Sequence, residues 1–241
     1  MLAEMPEIGV VVTLHREGLL AAATLASAFE AAEFARVKGK TVRLLAVLDQ
    51  PDAVTRSVLE SWRHGLDVLE VVSGDVGLNR NAAVAALSAR FLTMLDGDDL
   101  WAPDWLVAAH TSACAGPPGA VWHPEANFYF GQRGSEHWFM HPDMEAPGFD
   151  RASMELINPW TSLCFAPREL FVEVPYPASD LPRGFGYEDW HWNLATAARG
   201  ALHKTVPGTV HLIRQKPVSL VRRTAASGAL MVPLPRSSVI A

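Results

Sequence analysis

The chain has 241 residues, 49% hydrophobic and 19% charged, enough apolar material for one sizeable core. Its formal net charge of −6 leaves no basic excess to neutralise a phosphate polymer, which argues against a nucleic acid partner but leaves room for a local pocket holding one phosphorylated small molecule. The longest apolar stretch, LLAAATLASAF over 19–29, is shorter than the roughly 20 residues a bilayer span needs. With no basic leader at the N-terminus, the expectation is a soluble, cytoplasmic protein without a transmembrane segment. Cys114 and Cys164 lack metal-like spacing and read as reduced, buried thiols.

In chain order, IGVVVTL over 8–14 is a continuous β-branched run, the pattern of a strand buried on both faces. An Ala-rich helix follows over about 18–36. TVRLLAVL over 41–48 is a second strand, and Asp52 suits the N-cap of a helix whose apolar stripe is Val54, Val58, Leu59 and Trp62. DVLEVV over 67–72 is a third strand, 79–90 a small-residue helix, and FLTML over 91–95 a fourth strand. This alternation predicts an α/β fold with a mostly parallel central sheet flanked by helices.

Beyond about Gly116 the rhythm fades into an irregular half rich in proline and aromatic residues. A short helix is expected at Pro167, a longer one over 188–199 with Gly200 just past its end, and a strand over 209–213. The organisation expected is one domain over 1–223, with a nucleotide-binding half at 1–115 and an acceptor-binding, catalytic-base half at 116–223. A tail over 224–241 is read as loosely held or packed on a partner, which leaves a homo-oligomer open.

In open α/β sheets ligands bind beyond the carboxyl ends of the strands. Thr13, Asp49 and the run Asp96-Gly97-Asp98-Asp99 all fall there. Carboxylates so close repel one another unless a cation sits among them, and hard oxygen ligands suit Mg²⁺ or Mn²⁺. The alternative is a solvated acidic turn, with Asp99 or Asp104 capping the next helix.

The surroundings of that run decide how it is read. LDGDDLWAPDWL resembles the signature of the family 2 glycosyltransferases, whose nucleotide-sugar-binding fold is called GT-A. VVVTLHREG, AVLDQPD, GLNRNAAVAAL and GFGYEDWHWNLATAARG resemble further family segments and occur in the family's order, so that the resemblance covers about 8–223. It implies Rossmann-like GT-A topology and an inverting transfer from a UDP-, GDP- or dTDP-sugar to a glycan, lipid-linked or small-molecule acceptor, in the cytoplasm or peripherally at the inner membrane face. Residue by residue, it implies that Asp49 bonds the nucleobase, that Thr13 and Glu17 lie near base and ribose, and that Arg80 helps hold the nucleotide. Asp98 would be the principal Mn²⁺ or Mg²⁺ ligand, with Asp96 and Asp99 close by. Asp189 would be the general base, oriented by Glu188 and Trp190.

Three places depart from the family pattern. Lys216 stands where a metal-binding histidine is common; an ammonium cannot ligate a metal but can contact a diphosphate. His211 is an alternative third ligand, although its strand position favours packing. Gln50-Pro51 and Ala83 replace other family residues. His137 and His141 are four apart but lack a third zinc-ligand motif. Trp101, Trp160, Tyr187, Trp190 and Trp192 could face sugar rings, with core packing the simpler expectation for each. A nucleotidyltransferase, distinguishable by pyrophosphate release, and a non-catalytic nucleotide- or sugar-binding module are the competing readings.

Overall fold

The computed structural model describes residues 5–217 and 219–234. Its first half alternates β1 (Ile8–Leu14), α1 (Leu20–Val37), β2 (Val42–Asp49), α2 (Ala53–Ser61), β3 (Asp67–Val71), α3 (Val76–Ala86) and β4 (Phe91–Asp96). Then come β5 (Leu100–Trp101), α4 (Trp105–Ala115), β6 (Val121–Phe130), β7 (His137–Met140), β8 (Phe165–Pro167) and α5 (Arg168–Glu173). The chain finishes with β9 (Phe185–Gly186), α6 (Glu188–Ala198), β10 (His203–Arg214), α7 (Leu220–Ala226) and β11 (Leu230–Met231).

One 9-stranded sheet runs β3-β2-β1-β4-β8-β6-β10-β5, with β7 added beside β6. β3, β2, β1 and β4 are mutually parallel, β8 is antiparallel to both its neighbours, and β10 is parallel to β6. β1 is buried throughout because helices cover both sheet faces. Its residues alternate between two cores, as a period of two requires. Val10, Val12 and Leu14 pack under α1 and α4, and Val11 packs with Val84, Phe171 and Trp192 from α3, α5 and α6. Ala21, Ala28, Ala31, Ala32 and Ala35 are fully buried along α1, so small side chains let that helix lie close to the strands. β3 forms one edge, where its exposure rises and Arg43–Asp67 and Arg56–Glu70 ion pairs charge the margin.

Several expectations are corrected. The helix expected over 79–90 starts earlier, at Val76, because the Asp75 carboxylate accepts the Leu78 amide as an N-cap, and it stops at Ala86. The second half, read as irregular, contains the long strands β6 and β10. Cys114 is exposed, because it lies on the outward side of α4, whereas Cys164 is buried as expected. Of the tail expected over 224–241, residues 224–226 close α7 and β11 pairs with β9, whereas 235–241 lie outside the described residues.

Candidate active site

Parallel pairing of β1 with β4 sets Thr13 opposite Asp96, and the Thr13 hydroxyl donates to Asp96 Oδ1 at 3.1 Å. The chain then turns sharply, with the Asp99 amide donating to the Asp96 carbonyl at 3.0 Å. A Cβ on Gly97 would lie 2.6 Å from the Thr13 carbonyl oxygen, so only glycine lets this loop cross the end of β1. Immediately afterwards β5 pairs antiparallel with β10, Leu100 opposite Leu212 and Trp101 opposite His211. Arg214, at the end of β10, completes the attachment. Its amide donates to Asp99 Oδ1 at 2.7 Å and its Nε to the Asp98 carbonyl at 3.0 Å. Two residues on, Lys216 Nζ lies 2.5 Å from Asp98 Oδ2, the two side chains being 29% and 15% exposed.

Arg80, on α3, is buried and bridges two carboxylates. It reaches Asp96 Oδ1 at 2.7 Å and Glu188 Oε1 at 2.9 Å, and donates to the Ser162 hydroxyl at 3.0 Å. Burial works against both charges, yet the pair wins. Arg80's pKa is pushed well above its usual range by Asp96 and Glu188, and Arg80 holds Asp96 below the usual carboxylate value. The two Nη groups of Arg80 are thus engaged by the protein's own Asp96, Glu188 and Ser162, and the residue ties the strand end to α6.

Asp189 stands in the first turn of α6. Tyr187, just before the helix, adopts a left-handed backbone with φ of 59°, a conformation costly for a bulky side chain that turns Glu188 inward and Asp189 toward the crevice. The Trp190 amide donates to Asp189 Oδ1 at 2.8 Å and Asn158 Nδ2 to Oδ2 at 3.1 Å. Asn158 is itself held by Asn193, whose Nδ2 donates to its Oδ1 at 2.9 Å. Burial pushes Asp189 up to about 7, and the neighbouring Glu188 charge adds to this while Arg80 opposes it. Such a carboxyl group exchanges protons near neutrality, as a general base must.

Other anticipated residues are tied into hydrogen-bond networks or packed in the core. Asp49 is buried, and its carboxylate accepts the Ser73 amide at 3.1 Å, the Gly74 amide at 2.9 Å and Asn79 Nδ2 at 3.1 Å. These bonds pin the loop between β3 and α3. Glu17 accepts the His15 amide at 2.6 Å; burial raises its pKa, and Asp98 also raises it while Lys216 lowers it. His211 is fully buried against Trp105, ring centres 4.4 Å apart, and serves as packing rather than as a ligand. Trp101, Trp160 and Trp192 are buried, whereas Tyr187 and Trp190 keep partial exposure at the crevice. His137 is exposed and stacks on Tyr129, while His141 is buried with Asn127. Ser162, Asn158, Asn193 and Arg214 escaped sequence reading, because each matters only through partners distant in the chain.

The family model for glycosyl transferase family 2 matches residues 9–166. The chain belongs to glycosyl transferase family 2. Among solved structures, this glycosyltransferase resembles S. aureus TarS 1-349, with TM-score 0.66 and 14% identity over 92% of this chain and 70% of that one. The same TarS fragment in complex with UDP-GlcNAc gives TM-score 0.67 at 14% identity, over 91% of this chain and 61% of that one. The mannosyltransferase PcManGT from Pyrobaculum calidifontis, in complex with GDP-Man and Mn²⁺, gives 0.59 at 17% identity, over 87% and 57%. The chain covers 70%, 61% and 57% of these three chains in turn, and what it shares with them is the GT-A fold. No curated protein matches it in sequence.

Proposed function

We propose that this chain transfers a sugar from a nucleoside-diphosphate sugar to an acceptor hydroxyl, with Asp189 as general base and inversion at the anomeric carbon. The observation carrying this reading is the placement of Asp189. It is poised near neutrality at the mouth of α6 and joined through Glu188 and Arg80 to Asp96 at the end of β4. A donor lying along the strand ends would present its anomeric carbon toward α6. Asp189 would take the acceptor's proton as the new glycosidic bond forms, and the nucleoside diphosphate would leave on the opposite face. One displacement of that kind inverts the centre. UDP-GlcNAc bound to TarS and GDP-Man bound to the mannosyltransferase support a nucleotide-sugar donor. Among the described residues no helix is long and apolar enough to cross a membrane, and a glycan, lipid-linked or small-molecule acceptor is proposed on the family resemblance.

The resemblance also implies a divalent cation at Asp96, Asp98 and Asp99. Their surroundings do not fit one. Asp96 is engaged by Arg80, Thr13 and Ser162, Asp99 by the Arg214 amide, and Asp98 by the Lys216 ammonium. A metal at Asp98 would have to displace a like-charged group already seated there.

The test is nucleoside diphosphate release from a panel of UDP-, GDP- and dTDP-sugars. Asp189→Asn should lower turnover about 10²–10⁴-fold while leaving nucleoside diphosphate affinity in place. NMR of the first-formed product should show the inverted anomer. Near-normal turnover of Asp189→Asn removes the base assignment.

A further inference from the structure

We infer that Lys216 is the cation of the donor site: its ammonium, held by Asp98, takes the diphosphate and stabilises the departing charge, so that donor binding requires no divalent metal. This rests on the nucleotide-sugar reading of the crevice.

The lysine is built into the site. β10 is strapped to β5, the two-residue strand that follows the acidic turn, and Arg214 bonds both acids, its amide donating to the Asp99 carboxylate and its side chain to the Asp98 carbonyl. The Gln215 amide donates to the Phe130 carbonyl at 2.6 Å, anchoring the intervening residue to β6. Lys216 therefore emerges from a segment fixed on two sides, opposite the acid it meets at 2.5 Å. An ammonium carries three N–H groups, and one carboxylate oxygen does not exhaust them. Lys216 remains 29% exposed, which leaves its ammonium room for a second acceptor beside Asp98. Asp98 thus positions a cation, the role a metal-binding carboxylate has, but the cation is covalently part of the chain. Arg80 cannot take over this task, because it is buried and committed to Asp96 and Glu188.

Lysine and metal predict different chemistry. A point charge on a flexible stem can follow the phosphate as the bond to the sugar lengthens, and chelators cannot remove it. Leaving-group charge would be stabilised by an N–H donor aimed where the charge develops.

The experiment is calorimetric titration of UDP, GDP and dTDP into the wild-type protein in EDTA and then in Mn²⁺, repeated with Lys216→Ala and Lys216→His. The inference expects one of these nucleotides to bind in EDTA within about threefold of its affinity in Mn²⁺. Lys216→Ala should weaken that binding at least tenfold, and Mn²⁺ should not restore it. Lys216→His places a metal-binding side chain at the same point, and its affinity should rise at least fivefold on adding Mn²⁺. Binding of the wild type only with Mn²⁺, or unchanged binding by Lys216→Ala, overturns the lysine's role and leaves the nucleotide-sugar reading intact. Failure of all three nucleotides under both conditions overturns that reading and the inference together. The wild-type comparison needs no variant to fold.

Discussion

Arg80→Leu tests the internal bridge most directly. The substitution keeps an apolar side chain under α3 but strands Asp96 and Glu188. Breaking a buried ion pair by removing one partner costs about 3–5 kcal/mol. Here the cost falls mainly on Glu188, whose side chain is 8% exposed. Asp96, at 31%, keeps Thr13 and Ser162 as donors and can be hydrated. A loss of about 4 kcal/mol is therefore expected at pH 7, which for a domain of this size lowers Tm by roughly 8–16 °C. Urea unfolding followed by circular dichroism would measure it, with the midpoint falling at constant m. Adding Glu188→Gln should recover about 2 kcal/mol, because the stranded charge disappears, and the penalty of the single variant should shrink as the pH is lowered. A loss below about 1 kcal/mol, or no recovery in the double variant, would refute the view that Arg80 is there to balance buried acids.

Three further outcomes are expected. With Asp189 as the proposed base, working as the carboxylate and sitting at about 7, turnover should rise about tenfold per pH unit below that value and level off above it; a rate flat from pH 5 to 8 would contradict the assignment. His141 and His203 are buried and held down to about 4 and about 3, so both are neutral in the fold. The unfolded chain binds more protons below about pH 6.5. Their stabilisation is therefore complete above that pH and declines as the pH falls toward 4, by about 2 kcal/mol each at pH 5; thermal melts of the wild type and His203→Gln at pH 5 and 7.5 would show whether the acid loss shrinks in the variant. Gly97→Ala forces a methyl group to 2.6 Å from the Thr13 carbonyl and should cost about 1–3 kcal/mol, with weaker nucleotide binding measured by calorimetry.

The parallel half of the sheet was readable because its strands are covered on both faces and so are continuous apolar runs, as β1, β2 and β4 show. The Asp52 cap was readable because capping is a contact over three residues. β6 was not, since Pro124 looks like punctuation. Pro124 sits opposite Val206, where the pairing with β10 shifts before resuming at Val210 and Ala126. In the crevice, the acid cluster stood out as a local anomaly at a strand end. The role of Arg80 did not, because Glu188 and Ser162 lie 108 and 82 positions away. The residue types that bind an external diphosphate and those that bridge internal acids are the same. The partners of Asp49 were hidden for a similar reason: the amides of Ser73 and Gly74 leave no trace in side-chain chemistry.

The bulge in β10 also bears on how this chain can vary. Between Val206 and Val210 it advances four residues while β6 advances two, from Pro124 to Ala126. Gly208 turns with φ of 74°, its amide held by Glu125 at 2.7 Å. Slack of that kind separates the strand into two segments whose alignments are set independently. Insertions or deletions near residue 208 can be taken up in the loop of the bulge, whereas the same change after Val210 would slide the whole segment leading to Lys216 and turn its side chains over. The lysine's aim is thereby insulated from length changes upstream and exposed to any downstream of Val210.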